Sequence, residues 1–220
     1  MRSLKAFTIS SARPLPVILL ADVSGSMAAD GKIGALNDAV TAMLATFSNE
    51  DDARAEIHLA VVAFGGTAVL HIPLTPAHEV HWTPMGAHGR TPLGAALTKA
   101  TALIEDRNVI PSRAYRPTVI LVSDGRANDE WEPALQQFLA SERTAKAERF
   151  ALAIGADADH EVLQSFLNDP DKRVFEAHEG GEIHKFFRWV TMSVTSRSRS
   201  AEPNRKVQID LPDLDDYGDF

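Results

Sequence analysis

The 220-residue chain has no cysteine and no long apolar run. The absence of cysteine excludes disulfides, thiolate metal sites and cysteine nucleophiles, and it is typical of proteins in a reducing compartment. The apolar runs also fall short of the ~20 residues that a membrane helix needs. We therefore expect a cytoplasmic protein that does not enter a membrane.

Positive charge is scarce as well, because 22 Lys and Arg residues stand against 30 Asp and Glu residues, for a net charge of −8. Nucleic acids and anionic membranes both require a basic protein face, so we expect neither as a partner. The apolar run after Arg2 and Lys5 is short, is preceded by Pro14 and Pro16, and lacks a plausible cleavage site. The sequence therefore predicts no signal peptide.

Several catalytic motifs are missing. No Gly-x-Gly-x-x-Gly or Walker loop follows a predicted strand, which disfavours nucleotide binding at those positions. No Gly-x-Ser-x-Gly elbow surrounds Ser24 or Ser26, as a serine hydrolase of that type would need. Asp22 lacks the second acid two residues on that aspartyl-type phosphatases use, because Ser24 occupies that position. The sequence thus favours a protein that is not an enzyme.

The chain alternates between strand-like and helix-like segments. Apolar, β-branched runs predict strands, and apolar residues at helical spacing predict the helices between them. This order predicts an α/β fold that is doubly wound and Rossmann-like, with a mostly parallel central sheet, one antiparallel edge strand and helices on both faces. The predicted strands cover residues 15–21, 56–64, 67–74, 117–122, 150–154 and 174–175, and the predicted helices cover 32–47, 91–104, 130–146, 159–167 and 180–195.

Composition divides the chain into three parts. Residues 1–14 read as a polar lead-in, and residues 15–196 carry the whole strand–helix pattern of one domain. Residues 197–220 begin with alternating Ser and Arg and continue with sparse apolar residues among aspartates. We interpret this last part as a flexible acidic tail, because it has too few apolar residues to fold alone.

Five oxygen-bearing side chains occupy the ends of elements that meet at one edge of the predicted sheet. Asp22, Ser24 and Ser26 follow the first strand, Thr91 opens a helix, and Asp124 follows the fourth strand. Ligands of open α/β sheets bind outside the carboxyl ends of the strands, and such hard oxygen donors suit Mg²⁺. Taken singly, Thr91 is also an ordinary helix cap and Asp124 an ordinary turn former. Their joint placement favours a metal site.

Three separated segments resemble the metal-ion-dependent adhesion site of von Willebrand factor A-type domains. They are Asp22-Val23-Ser24-Gly25-Ser26, Thr91-Pro92-Leu93-Gly94 and Ser123-Asp124-Gly125, and the resemblance covers about residues 14–195. It implies that Ser24, Ser26 and Thr91 contact a metal directly, and that Asp22 and Asp124 act directly or through water. It also implies Mg²⁺ as the cofactor, with Mn²⁺ or Ca²⁺ as alternatives, and a partner protein that presents an Asp or Glu to the metal.

Within that family the chain is most similar to the bacterial tellurium-resistance-associated, TerY-like members. The similarity rests on Leu15-Pro16-Val17, on the segment that runs from Thr91 to Leu97, and on Ile154-Gly155-Ala156-Asp157-Ala158-Asp159. It implies a scaffold in a stress-response, tellurium-resistance or kinase–phosphatase-linked pathway, with partners of that kind. Arg90 stands where such proteins commonly have glycine.

Other functions remain open for the same five residues. They would also serve as the ligands of a Mg²⁺- or Mn²⁺-dependent phosphoester hydrolase. A third alternative is a metal that has only a structural role. Asp213, Asp215 and Asp216 of the tail are of the type that such a site accepts. The tail is therefore a candidate ligand in cis or in trans, besides a solubilising segment.

The loop before Thr91 contains three histidines and two large apolar residues. His78, His81 and His88 are either a second, transition-metal site or solvated loop residues, and the surrounding prolines and glycines favour the latter. Trp82 and Met85 either pack inward or form the apolar rim of a partner surface.

Overall fold

The central element is a six-stranded sheet. The structure, a computed structural model, describes residues 12–50 and 54–205. The strand order is β3-β2-β1-β4-β5-β6; β3 is antiparallel to β2 and the other neighbours are parallel. The predicted fold class is therefore confirmed. The strands are β1 Arg13–Asp22, β2 Ala55–Gly65, β3 Thr67–Pro76, β4 Thr118–Ser123, β5 Glu148–Ile154 and β6 Phe175–Ala177.

Helices cover both faces of this sheet. On one face α1 and α5 pack against the sheet, and on the other face α2, α3 and α4 do so. No helix in the described part of the chain is both long and apolar enough to cross a membrane. The helices are α1 Lys32–Ser48, α2 Leu93–Glu105, α3 Trp131–Ala140, α4 His160–Leu167 and α5 Gly180–Arg199, and 3-10 turns cover Gly25–Gly31, Ala77–Glu79 and Thr144–Lys146.

The central strand β1 explains why the apolar run at residues 15–21 is continuous. Leu19 belongs to the core under α1 and α5, whereas Ile18 and Leu20 belong to the core under the other three helices. All three side chains are fully buried. A strand that is covered on both faces needs apolar residues at every position, which is typical of parallel sheets in α/β proteins.

Two helices end several residues away from their predicted carboxyl ends. The predicted helix over 130–146 ends at Ala140, because Ser141 is extended and a 3-10 turn follows. The last helix continues to Arg199 instead of ending near residue 195. Arg197 explains the extension: its buried guanidinium donates to Thr118 Oγ1 at 2.6 Å and to Pro203 O at 3.0 Å. Composition alone suggested a linker at this point.

The structure describes only part of the predicted lead-in and only part of the predicted tail. Strand β1 begins at Arg13, within the predicted lead-in. Most of that lead-in, and residues 206–220 of the predicted tail with Asp213, Asp215 and Asp216, lie outside the described residues.

The sheet order creates a crevice between β1 and β4. The chain goes from β1 to β2 in one direction across the sheet, and β4 lies on the opposite side of β1. At such a switch point the connecting loops diverge and leave a groove at the carboxyl ends of the strands. Asp22 is the last residue of β1, and Asp124 follows the last residue of β4 directly.

Candidate metal centre

Asp22 is a fully buried carboxylate at the end of β1. Its Oδ1 accepts a hydrogen bond from the Ser24 backbone N–H at 2.8 Å, and its Oδ2 accepts one from the Ser123 hydroxyl at 2.6 Å. Burial raises the pKa of Asp22 above its ordinary value, although these hydrogen bonds oppose the shift, and the negative charge of Asp124 raises the pKa further. A bound cation would relieve both unfavourable effects.

Ser24, Ser26 and Asp124 form a continuous chain of side-chain oxygens. The Ser24 and Ser26 hydroxyl oxygens are 3.0 Å apart, and the Ser26 hydroxyl donates to Asp124 Oδ1 at 2.7 Å. In an octahedral Mg²⁺ shell with ligands at ~2.1 Å, adjacent oxygens are about 3 Å apart. Ser24 and Asp124 are buried, whereas Ser26 is exposed and opens the site to solvent. The donor types and their spacing therefore fit a hard divalent cation.

Thr91 reaches the same place from a distant part of the chain. A Cβ atom placed on Gly125 would lie 3.9 Å from both Ser26 Oγ and Thr91 Oγ1, so the two hydroxyls flank this glycine. Four of the five predicted ligands are thus linked by hydrogen bonds in the order Asp22, Ser24, Ser26 and Asp124, and the fifth lies beside them. The structure brings all five predicted residues to one edge of the sheet.

Backbone hydrogen bonds hold the segment that leads into Thr91. This segment, residues 86–90, bonds to the loops that follow β1 and β2 and is thereby fixed at the mouth of the crevice. Every one of these bonds joins main-chain atoms, so the position of Thr91 depends on backbone geometry. The bonds are His88 N to Val23 O at 2.7 Å, Gly25 N to Gly89 O at 2.9 Å and Gly66 N to Arg90 O at 2.7 Å.

Two glycines make this close approach possible. A Cβ on Gly65 would lie 2.4 Å from Val23 O, and a Cβ on Gly89 would lie 2.5 Å from the Gly66 Cα. Gly89 also has φ +70°, in the left-handed region that favours glycine. Larger residues would push the segment away from the β1 loop, and Thr91 with it.

Thr91 does not cap the helix that it precedes. Pro92 occupies the N-cap position and α2 begins at Leu93. The free N–H groups of the first turn are bound instead by Asp129, whose two carboxylate oxygens accept from Gly94 N and Ala95 N at 2.9 Å each. The interpretation of Thr91 as a helix cap is therefore wrong, because a carboxylate from the loop before α3 takes that role. The Thr91 hydroxyl is left beside the other site oxygens.

Lys32 is a site residue that the sequence did not single out. Its ammonium lies 2.9 Å from Asp124 Oδ2 and its side chain is 17% exposed. Asp30 and Gly31 have φ of 54° and 70°, and this left-handed turn delivers Lys32 to the first position of α1. A lysine opposes the helix dipole at that position, so the ion pair with Asp124 accounts for its presence.

An open crevice of about 500 Å³ lies against one side of this cluster. Positive charge comes from Lys32 and Arg126, and negative charge comes from Asp157 and Asp159 of the same lining. Ser26 and Asp124 line it directly. A side chain of another molecule can therefore reach the site oxygens from this direction.

The loop histidines do not assemble a second site. His78, His81 and His88 are all exposed, and no group of three or more His, Asp or Glu side chains in the described part of the chain is arranged to hold a metal. Met85 is buried in the core, and Trp82 is half-buried with its ring 5.5 Å from the ring of His71. These observations favour the inward-packing interpretation of the two apolar residues.

Comparison with known proteins places this chain in a family. Residues 17–126, half of the chain, match the von Willebrand factor type A domain. The uncharacterized protein Rv2850c of Mycobacterium tuberculosis (strain ATCC 25618 / H37Rv) is 33% identical over 135 residues, which cover 60% of this chain and 20% of that protein. The chain thus spans about a fifth of the length of this relative.

Two solved structures share the fold at low sequence identity. A von Willebrand factor type A protein from Catenulispora acidiphila has a TM-score of 0.60 at 22% identity, over 86% of this chain and 43% of that one. Proximal thread matrix protein 1 from the mussel byssus, with a zinc-occupied MIDAS motif, has a TM-score of 0.65 at 18% identity, over 84% and 48%. The chain belongs to the von Willebrand factor type A domain family.

Proposed function

We propose that this chain is a metal-dependent, non-enzymatic protein-interaction module. Its ligands for a divalent cation are Asp22, Ser24, Ser26, Thr91 and Asp124. The proposal rests chiefly on the convergence of two buried carboxylates and three hydroxyls at the switch point of the sheet. Mg²⁺ is the expected metal, with Mn²⁺ or Ca²⁺ as alternatives. Zn²⁺ belongs in the test panel, because it occupies the MIDAS motif of the mussel protein.

The five residues have different tasks in this proposal. Ser24, Ser26 and Thr91 supply neutral hydroxyl oxygens, whereas Asp124 and Asp22 supply the negative charge that balances a divalent cation. Both oxygens of Asp22 already accept hydrogen bonds, which favours an indirect contact for this residue through water or a hydroxyl. The two carboxylates balance the charge of the cation, and the ammonium of Lys32 then leaves the site positive. This positive charge attracts an acidic group from outside.

The partner in this proposal presents an Asp or Glu side chain. The exposed Ser26 marks the solvent side of the site, and Lys32 and Arg126 add positive charge to the adjoining crevice. Arg90 is exposed directly before Thr91 and extends this basic surface. We further propose a cytoplasmic scaffold in a stress-response, tellurium-resistance or kinase–phosphatase-linked pathway, because the TerY-like resemblance implies one.

Metal binding is tested by titrating Mg²⁺, Mn²⁺, Ca²⁺ and Zn²⁺ calorimetrically into the metal-free chain and into Asp22→Asn. We expect saturable binding that the substitution removes. Thr98→Val is the control, since this exposed threonine on α2 bonds only to Gly94 O. Equal Mg²⁺ binding by wild type and Asp22→Asn would rule out the site.

Partner binding is tested by retaining proteins on the immobilised chain with Mg²⁺ and with EDTA. A true partner is retained only with metal, and an Asp→Asn or Glu→Gln change in its contact residue abolishes retention. Retention that is indifferent to EDTA, together with a lower melting temperature in EDTA, would instead show that the metal is structural. Turnover of a phosphoester panel that Asp124→Ala abolishes would favour the hydrolase.

The acidic tail, residues 197–220, is a further proposed ligand of the metal site, either in the same chain or in a neighbouring copy. A chain shortened to residue 196 is a poor test, because it removes the buried Arg197 and its hydrogen bonds. Changing Asp213, Asp215 and Asp216 to Asn retains the fold of the described residues and removes the charges. If this variant and the wild type have equal partner affinity and equal oligomeric state, the segment does not block the site.

A further inference from the structure

A cavity lies at the edge of the sheet opposite the proposed metal site. It has a volume of about 770 Å³ and is formed by the amino ends of β4 and β5, the loop before β4 and the turn after α3. Ligand pockets for small molecules typically measure 300–1,000 Å³. Strand β4 is six residues long, so about 20 Å separate this cavity from Asp124. The cavity therefore has no part in the proposed metal site.

Its lining is basic in a chain that is acidic overall. Six cationic side chains line the cavity against three acidic ones, whereas the whole chain has a net charge of −8. Such a concentration of one sign in a concave site focuses the electrostatic potential. The cationic residues are Arg107, Arg116, Arg143, Lys146, Arg149 and Lys172.

The acidic residues balance only part of this charge. Glu148 pairs with both Arg116, at 2.9 Å, and Lys172. Glu142 and Arg107 are 3.4 Å apart, and both side chains are 66% exposed, so solvent weakens this pair. Arg116 and Lys172 thus share Glu148, and Asp169, the third acid of the lining, acts on Arg149.

Arg149 of the lining is itself buried, and the buried Arg197 behind the wall adds to the excess of positive charge. Arg149 donates to Leu167 O at 3.0 Å, and Arg197 donates to Arg116 O at 2.8 Å, so both guanidinium groups are bound by neutral carbonyl oxygens. Burial, and then repulsion from Arg116, lowers the pKa of Arg197 to about 10, with Glu148 opposing the shift. An anion in the cavity would reduce this mutual repulsion.

Arg116 supplies the observation that points to a missing ligand. Its Nη2 bonds to Glu148, but its Nε is buried and has no hydrogen-bond partner among the described residues. A buried donor without an acceptor is costly and calls for an explanation. A ligand that draws the Arg116 guanidinium toward the cavity would let one of its oxygen atoms satisfy this donor.

We propose that this cavity binds a phosphate-bearing small organic molecule. Guanidinium groups match phosphate oxygens in geometry and charge, and the cavity offers several of them beside the orphaned Arg116 Nε. Apolar wall residues, including Ala145, Ala147 and Leu167, accommodate a less polar body attached to the phosphate. Its volume accepts a molecule of nucleotide size.

The test titrates ATP, inorganic phosphate and adenosine into the full chain by calorimetry, with divalent metal removed by EDTA. We expect ATP to bind, phosphate to bind more weakly and adenosine not to bind. The affinity for ATP should fall as NaCl is raised, because charge drives the association. Absence of binding by ATP, or equal binding by adenosine, would overturn the proposal.

Variants locate the binding to the cavity. Arg116→Gln should weaken ATP binding at least tenfold, and Lys146→Gln, at an exposed rim position, should weaken it severalfold without threatening the fold. Arg126→Gln is the matched control, because it removes one exposed positive charge at the metal edge. Mg²⁺ binding should be unchanged in both cavity variants, so this result is independent of the proposed function. If the control and the cavity variants lose affinity equally, ATP binds by general charge attraction and the cavity site is wrong.

Discussion

Lys32 Nζ lies 2.9 Å from Asp124 Oδ2, on the same carboxylate whose Oδ1 accepts a hydrogen bond from Ser26. The chain therefore carries its own cation against a proposed metal ligand. In the metal-free protein this ammonium compensates the buried charge of Asp124, and it opposes a divalent cation that approaches the same group. Lys32 should thus set the balance between the stability of the free site and its affinity for metal.

Replacing Lys32 with Met should raise the affinity for Mg²⁺ by about tenfold, because a competing positive charge is removed. In EDTA the same variant should melt at a lower temperature than wild type, since Asp124 loses its partner. Mg²⁺ should remove this difference in melting temperature. Calorimetric titration and thermal unfolding with and without metal measure both effects. Lys99→Met, at an exposed position of α2, serves as the control. Weaker Mg²⁺ binding in Lys32→Met would show that the lysine supports the site instead of competing.

Asp22→Asn should stabilise the metal-free protein while it abolishes metal binding. Burial raises the pKa of Asp22, so keeping it ionised at neutral pH destabilises the folded state. Asparagine keeps the shape and removes the charge and its repulsion with Asp124, which we expect to add about 1 kcal/mol or more to the free energy of unfolding. Chemical denaturation in EDTA at pH 7 measures this change. A loss of stability would mean that hydrogen bonding to Ser24 and Ser123 outweighs the charge.

Variants of Thr91 and Asp129 should show that metal binding and helix capping depend on different residues. Thr91→Val removes only the hydroxyl and should lower Mg²⁺ affinity by about tenfold or more with little change in stability. Asp129→Ala should do the reverse, because α2 loses the acceptor for two N–H groups, at a cost of about 1–2 kcal/mol. Titration and unfolding of both variants check the pair. A large loss of stability in Thr91→Val would contradict the assignment of the cap to Asp129.

Gly65→Ala should damage the site through the backbone. The new methyl group would lie 2.4 Å from Val23 O, so the β1 and β2 loops must separate and the segment before Thr91 must shift. We expect a loss of about 2–4 kcal/mol in stability and weaker metal binding together. Gly86→Ala is the matched control, because a methyl group there meets no atom within 4 Å. Equal behaviour of the two variants would show that the segment adjusts without strain.

Glu148 should govern the loss of stability in acid. Burial raises its pKa, but the hydrogen bond and charge of Lys172 and the charges of Arg116 and Arg197 outweigh burial and hold the pKa below its ordinary 4.5. As the pH falls below about 4.5, the unfolded chain therefore takes up a proton before the folded one, and stability declines.

Glu148→Gln should remove this part of the acid dependence and cost about 2–4 kcal/mol at pH 7, because three cations lose their shared acid. Denaturant unfolding of both proteins between pH 3 and pH 7 measures the two slopes. Parallel curves for wild type and variant would rule out Glu148 as the controlling group.

The clustering of the five candidate ligands could be predicted from the sequence because each one follows or opens a recognisable element. Asp22 ends a continuous apolar strand and Asp124 ends another, and parallel strands bring their carboxyl ends together whatever the length of chain between them. Lys32 and Asp129 gave no such signal. Their partners are 92 and 35 residues away, and the contacts arise from the packing of loops whose paths no periodicity reports.

The same limit applies to the end of the chain. Ser196 to Ser200 has the composition of a linker, yet it completes α5 because Arg197 finds buried acceptors on Thr118 and Pro203. A hydrophobic pattern identifies helices that bury apolar faces. It does not identify a helical turn that is fixed by one long polar side chain.

The main-chain bonds that fix residues 86–90 leave the exposed Arg90 side chain without a part in holding Thr91, whereas the His88 ring bonds to Gly86 O at 3.1 Å within the segment. His88 and Arg90 are exposed, although their backbone groups are tied to Val23 and Gly66. Mutations of Arg90 should therefore accumulate freely as far as the geometry of the site is concerned. If the proposed site recognises an acidic partner, an exchange of this one side chain would change the recognition without a change in the frame, and directed evolution of new partners would begin there.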